Sequence, residues 1–288
     1  MSFRTVVISN RCKLDLRMNH MVVRGDKSVK VLLDEIDILI VENPAVSFTG
    51  CLLEALIAKK VKVIFCDSQH NPQSELVPYH GSHDCSRKIR NQLKWSPKLQ
   101  GEIWTMIVKE KIRKQGDFLA DLGYGAEADM LRGYITELTY RDATNREGHA
   151  AKVYFNKIFG MDFTRERETA VNAALDYGYS IILSVFNREV AGNGYLTQLG
   201  FFHDNIYNPF NLSSDLMEPY RVLVDRIVYQ HEFTKFETEE KHAVLEVLKN
   251  EVVINHSRQV LPNAIKIYVK SVFDALLYED AEQVAFYE

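Results

Sequence analysis

Residues 1 to about 67 follow the two-residue rhythm of strands. Short apolar or alternating runs occupy 5–9, 13–17, 20–24 and 29–33, separated by polar pieces at 9–10, 18–19 and 25–27. Residues 36–41 read as a buried strand. Thr49 can cap a helix over 50–59 with Leu52, Leu53, Leu56 and Ile57 on one face, and 61–66 supplies a last strand. Strands at roughly ten-residue intervals suggest a small sandwich. Residues 68–80, with Pro72 and Pro78 among polar neighbours, read as a linker.

Beyond that point the period lengthens to that of helices. Ser96 followed by Pro97 is an N-cap with proline at the first helical position, opening a helix to about residue 115. Further helical stretches are predicted near 127–138, 146–159, 168–191, 215–231, 239–250 and 260–277. The expected class is α+β: a β-sandwich-like domain over 1–67, a linker over 68–80, and a larger all-α domain over 81–288.

Two helical faces carry acid where packing alone calls for apolar side chains. From Glu147, the positions at offsets of 3, 4, 7 and 11 are Ala150, Ala151, Tyr154 and Ile158, a core-facing stripe that begins with a carboxylate. A buried carboxylate must be paired, hydrogen-bonded or bound to a cation. Glu147 can also be a first-turn residue favouring the helix dipole at the fringe of the core, with Thr144 or Asn145 as cap. The second face holds Asp215, Glu218, Val222, Asp225 and Tyr229, three carboxylates on one stripe that repel unless a cation lies among them. Arg221 and Arg226 are the ordinary alternative partners, and Pro219 kinks the helix or marks its start. His203 follows the apolar pair Phe201–Phe202 after Gly200. One imidazole with two carboxylates suits Mg²⁺ or Mn²⁺.

Composition narrows the field. The 288 residues are 46% hydrophobic and 26% charged, enough for about two folded domains. No apolar run is long enough to span a bilayer, and the chain enters a strand pattern at once with no charged-then-apolar leader. Cys12, Cys51, Cys66 and Cys85 lack metal or disulfide spacing and read as reduced thiols of a cytoplasmic protein. Net charge is −4, yet residues 87–114 hold nine basic side chains against two acidic ones. Such a stripe, including Arg87, Arg90 and Lys94, can track a phosphate backbone or be a solvated face. Serine-nucleophile elbows, phosphate-binding loops and dinucleotide fingerprints are absent. His83–Asp84 is an HD dipeptide without the other elements of an HD-type metal phosphohydrolase.

Several stretches, taken in order, resemble the CRISPR-associated adaptation integrase family, closest to members from type II systems. They are Asn145-Arg146-Glu147-Gly148 with Ala151-Lys152-Val153-Tyr154-Phe155, then Gly200-Phe201-Phe202-His203, then Asp215-Leu216-Met217-Glu218-Pro219-Tyr220-Arg221. Residues 172–179 and Phe65-Cys66-Asp67 also match, so the resemblance covers essentially the whole chain. It implies an α-helical domain that binds one divalent ion, Mg²⁺ or Mn²⁺, through Glu147, His203 and Glu218, with Asp215 close behind. Relatives often carry Asp at the third position. The resemblance further implies a homodimer built through the β domain. Two such dimers flank a dimer of a small ferredoxin-like CRISPR-associated protein and insert captured double-stranded DNA at the leader–repeat junction. In that reading a 3′-hydroxyl attacks a phosphodiester in line, and water as nucleophile gives plain endonuclease activity. Arg221, Arg146 or Lys152 can add a positive contact, and His149 is a proton-handling or capping group. Removing one ligand is expected to relieve carboxylate repulsion. The rival reading is a non-catalytic DNA-binding scaffold.

Overall fold

The computed structural model describes residues 4–78 and 82–288. The expected end of the linker at residue 80 and start of the helical domain at 81 lie outside the described residues. By its internal contacts the chain divides into two units, residues 1–81 and 82–288.

Among the described residues the first unit has eight strands: β1 (Arg4–Ile8), β2 (Lys13–Arg17), β3 (His20–Arg24), β4 (Ser28–Leu32), β5 (Ile36–Val41), β6 (Ser47–Phe48), β7 (Lys62–Cys66) and β8 (Pro72–Glu75), with helix α1 (Gly50–Ala58) between β6 and β7. They form two four-stranded sheets, ordered β1-β5-β7-β8 and β4-β3-β2-β6. β5 lies between two parallel neighbours and is buried along nearly its whole length, as its unbroken apolar run requires. Met18 and Asn19 both have positive φ (45° and 61°), the backbone a two-residue hairpin needs between β2 and β3. Leu14 and Met21 from one sheet, Leu39 and Val63 from the other, and Leu52 and Leu56 from α1 share one core. The span read as a linker is not all linker. Residues 72–75 pair antiparallel with β7, and Glu75 reaches the Lys62 ammonium.

In the second unit the helices are α2 (Cys85–Gln92), α3 (Pro97–Asp121), α4 (Gly125–Thr136), α5 (Arg146–Phe159), α6 (Ala170–Gly192), α7 (Asn211–Met217), α8 (Arg221–His231), α9 (Thr238–Leu245) and α10 (Leu261–Tyr278). The Ser96 cap is in place, its hydroxyl accepting from the Leu99 amide. α2 was not anticipated. Strands-then-helices is the observed order, but a hairpin of β9 (Glu251–Ile254) and β10 (Ser257–Val260) interrupts the helices. Its turn residues Asn255 and His256 have φ of 50° and 60°, a two-residue turn that histidine in the second place had disguised. Gly178 lets α6 approach α8, since a Cβ there would lie 2.4 Å from Val224 Cγ1.

The buried polar residue that ties three helices together is Asp225 of α8, 1% exposed. It accepts from the Tyr154 hydroxyl of α5 at 3.0 Å and from the Tyr179 hydroxyl of α6. Asp225 therefore answers its burial with two phenols rather than with the shared cation that the acidic stripe suggested. Burial outweighs these hydrogen bonds and pushes its carboxyl up to about 6. An acid raised by folding stabilises the native state below its unfolded pKa, and that stability is lost as pH rises through the folded value. Between pH 4 and 6.5 the wild type should therefore lose about 2 kcal/mol relative to Asp225→Asn. Urea melts of both proteins across that range check it, and a constant difference would refute the assignment.

Candidate metal centre

α3, α5 and the α7–α8 junction bring four charged side chains into one place. Glu147 stands in the first turn of α5. That helix starts where it does because the Asp142 carboxylate accepts from the backbone amides of Arg146 at 2.7 Å and Glu147 at 2.9 Å. Neither Thr144 nor Asn145 acts as that cap. Asn145 is in the left-handed region (φ 53°), with no side-chain cap bond, and Asp142 reaches back from the preceding turn. Glu218 lies in a single 3₁₀ turn, Glu218–Tyr220, between α7 and α8, where Pro219 has no amide to continue the regular ladder.

Lys111 of α3 lies between the two carboxylates. Its Nζ is 2.5 Å from Glu147 Oε1 and 2.6 Å from Glu218 Oε2. Arg221 closes the other side, its Nε donating to Glu218 Oε1 at 2.9 Å while its guanidinium lies 4.6 Å from the Tyr179 ring centroid. Side-chain exposure falls from 24% at Glu147 to 12% at Lys111 and 4% at Glu218, so the group opens to solvent on the Glu147 side. Burial alone would neutralise Glu218, but Arg221 and Lys111 outweigh it and hold the carboxyl below its usual range. Burial likewise works against the Lys111 ammonium, and Glu218 and Glu147 overcome it and raise its pKa.

His203 is held by Asp215. The Asp215 carboxylate, wholly buried on α7, accepts from the backbone amides of Phe201 (2.5 Å), Phe202 (3.0 Å) and His203 (3.2 Å) and sits 2.5 Å from His203 Nδ1. Gly200 permits this wrap, because a Cβ there would meet Asp215 Oδ2 at 2.8 Å. The hydrogen bond to Asp215 raises the His203 pKa against its burial, and Glu218 and Glu147 add to the rise from nearby. A carboxylate fixing Nδ1–H leaves Nε2 as the lone-pair nitrogen, the arrangement common to histidine metal ligands. Trp104 of α3 backs this corner, stacked on Phe202 at 4.6 Å and edge-on to the imidazole at 5.8 Å.

Among the described residues, no three carboxylate, imidazole or thiolate groups stand together as a ready cage. What converges is two carboxylates on one ammonium, with the Asp215-held imidazole within electrostatic reach. That donor set fits a hard divalent cation, because oxygens of both carboxylates already close on a single positive centre.

The remaining sequence candidates fall elsewhere. Arg146 pairs with Glu137 at 2.8 Å, contacts His149 and lies over the Tyr134 ring, an outer cluster beside the start of α5. Lys152 is exposed farther along α5. Arg226 pairs with Asp121 rather than with the acidic stripe. Asp84 is taken by Ser82, Arg87 and Lys88 at the start of α2, which leaves the HD dipeptide without a metal role. The basic stretch divides. Arg87, Arg90 and Lys94 are exposed, whereas Lys114 is buried over the Tyr287 ring and Lys111 belongs to the charged centre. Lys111 was missed for that reason. Its signal was its place on the buried stripe of Trp104, Ile107, Val108 and Phe118.

Residues 5–257 match the family described as CRISPR associated protein Cas1. The CRISPR-associated endonuclease Cas1 of Neisseria meningitidis serogroup C (strain 8013) is 35% identical over 229 residues, covering 79% of this chain and 75% of the relative. Two solved structures share the fold at low identity. A Cas6-RT-Cas1–Cas2 complex gives a TM-score of 0.74 at 17% identity, over 98% of this chain and 36% of that one. A casposase bound to integration product gives 0.75 at 16% identity, over 97% and 92%. The profile match spans most of the sequence, and the chain belongs to the CRISPR-associated protein Cas1 family.

Proposed function

We propose that the chain is a divalent-metal-dependent DNA endonuclease and integrase that inserts captured DNA fragments as new spacers into a CRISPR array. The observation that carries this reading is the meeting of Glu147 and Glu218, from segments 71 residues apart, on one positive centre beside the Asp215-held His203. The endonuclease name of the Neisseria relative and the integration product bound to the casposase support the same chemistry.

Glu147, His203 and Glu218 would hold the Mg²⁺ or Mn²⁺ ion. Such an ion supplies Lewis-acid polarisation of the phosphoryl oxygen and offsets charge on the transition state. The other residues set the stage. Asp215 fixes the ring and tautomer of His203, Arg221 keeps Glu218 ionised and aimed, and Asp142 fixes the first turn that carries Glu147. A 3′-hydroxyl of the incoming DNA attacks the target phosphodiester in line and gives up its proton as the new P–O bond forms, while the bond to the target strand's 3′-oxygen breaks and that oxygen leaves as a hydroxyl. Water in place of the attacking hydroxyl gives simple cleavage. Arg87, Arg90 and Lys94 offer exposed positive charge for the duplex. We assign the β unit to homodimerisation, supported by the free edge of β4, where Ser28, Val29 and Lys30 are exposed. The Cas1–Cas2 pairing named in the solved complex supports a small second CRISPR-associated protein as partner.

Glu147→Ala, His203→Ala and Glu218→Gln should each abolish strand transfer on a repeat-bearing plasmid while duplex binding persists. Normal activity in any one removes that residue from the ligand set. Loss of repulsion on ligand removal, the expectation from sequence, gives way to the opposite, because Glu218→Ala leaves Lys111 and Arg221 short of a buried partner and should lower the melting temperature. Asp215→Asn, which spares the ligands but loosens the imidazole, should cost roughly 10–100-fold in metal affinity by calorimetry.

Reversing Arg90 and Lys94 to Glu should weaken duplex binding and flatten its salt dependence, with each lost phosphate contact lowering the slope of log K against log salt by about 0.9. An unchanged slope would leave these residues as a solvated face. Light scattering of the pure protein should give twice the 33.2 kDa chain mass. A single-chain mass at micromolar concentration would refute the dimer.

A further inference from the structure

We propose that Lys111 competes with the divalent ion for Glu147 and Glu218, so that loading the site requires its ammonium to withdraw. This rests on the metal site proposed above. Nζ contacts Glu147 Oε1 and Glu218 Oε2 at 2.5 and 2.6 Å, so the ammonium already takes the point on which the two carboxylates converge. Lys111 and Arg221 together balance the two carboxylates. A divalent ion added to that balanced set leaves an excess of two positive charges in a place only 4% to 24% exposed, where like charges repel most strongly.

One cation must therefore yield, and the contacts say which. Arg221 holds the other oxygen of Glu218, Oε1, and makes no ion pair with Glu147 among the described residues, while its guanidinium lies over the Tyr179 ring. Lys111 stands between the two carboxylates on an unbranched four-carbon stem that can swing without moving α3. The more exposed Glu147 side gives the incoming ion its approach. Lys111 thus weakens metal binding while keeping the two carboxylates together for it. Its role is that of a positioning residue, acting on the ligands rather than on DNA.

The test uses the full chain, treated with chelator, and Mn²⁺ alone as probe, with free Mn²⁺ followed by electron paramagnetic resonance. Lys111→Met is expected to bind Mn²⁺ about tenfold more tightly than wild type, the scale of one charge-assisted hydrogen bond. Lys111→Arg, which keeps the charge, should bind no more tightly. In the wild type, acetylation of the Lys111 amine, read by peptide mass spectrometry, should rise severalfold when Mn²⁺ saturates the site. This second measurement stands even if Lys111→Met does not fold. Equal or weaker Mn²⁺ binding by folded Lys111→Met, or labelling of Lys111 unmoved by saturating Mn²⁺, would overturn the competition and leave the metal site intact. A wild type that takes up no Mn²⁺ would overturn both.

Discussion

Charge buried among apolar helices must be answered on the spot, and this constraint shapes the second unit. Lys111, Glu147, Glu218 and Arg221 come from α3, α5, the 3₁₀ turn and α8, and burial works against the charges of Lys111 and Glu218 in particular, which their partners must offset. Such a cluster adds little net stability, since desolvation cancels much of the attraction. Deleting one member, however, strands the others. The helices are therefore committed to a single relative placement. Asp225 repeats the constraint one turn along α8, where hydroxyls from α5 and α6 answer it.

The same economy of backbone and carboxylate organises the two loops that feed the centre. Asp142 gathers the free amides at the start of α5, and Asp215 gathers three successive amides around His203. In each case an acidic side chain stands in for the hydrogen bonds that irregular backbone lacks. Glu147 and His203 then inherit their orientation from these loops. Precision at Glu147 and His203 thus comes from two aspartates, Asp142 and Asp215, that are spent on backbone amides and the imidazole.

Much of this was legible along the chain because periodicity is local. The strand runs, the Ser96 cap and the acid at the head of the α5 stripe all follow from neighbours within a turn or two. Residues that failed to read correctly depend on distant partners. Asp225 looked like a third carboxylate awaiting a cation, since nothing nearby announced that Tyr154 and Tyr179, 71 and 46 residues away, would reach it. Lys111 looked like one more base in a basic stretch, although a lysine on the Trp104–Phe118 stripe is as much a signal as a glutamate on one. The hairpin at 251–260 hid behind an uncommon turn residue, and β8 behind a proline at its first position.

α3 runs unbroken from Pro97 to Asp121 and carries both Trp104 and Lys111, two turns apart and so about 10 Å along one axis. A helix is stiff along its length, so the aromatic backing of the imidazole and the ammonium between the carboxylates cannot shift independently. Any slip of α3 would displace both at once. The centre is thereby wired to the packing of a single rod, and a cavity cut beneath that rod at Ile112 or Phe118 would loosen both contacts together.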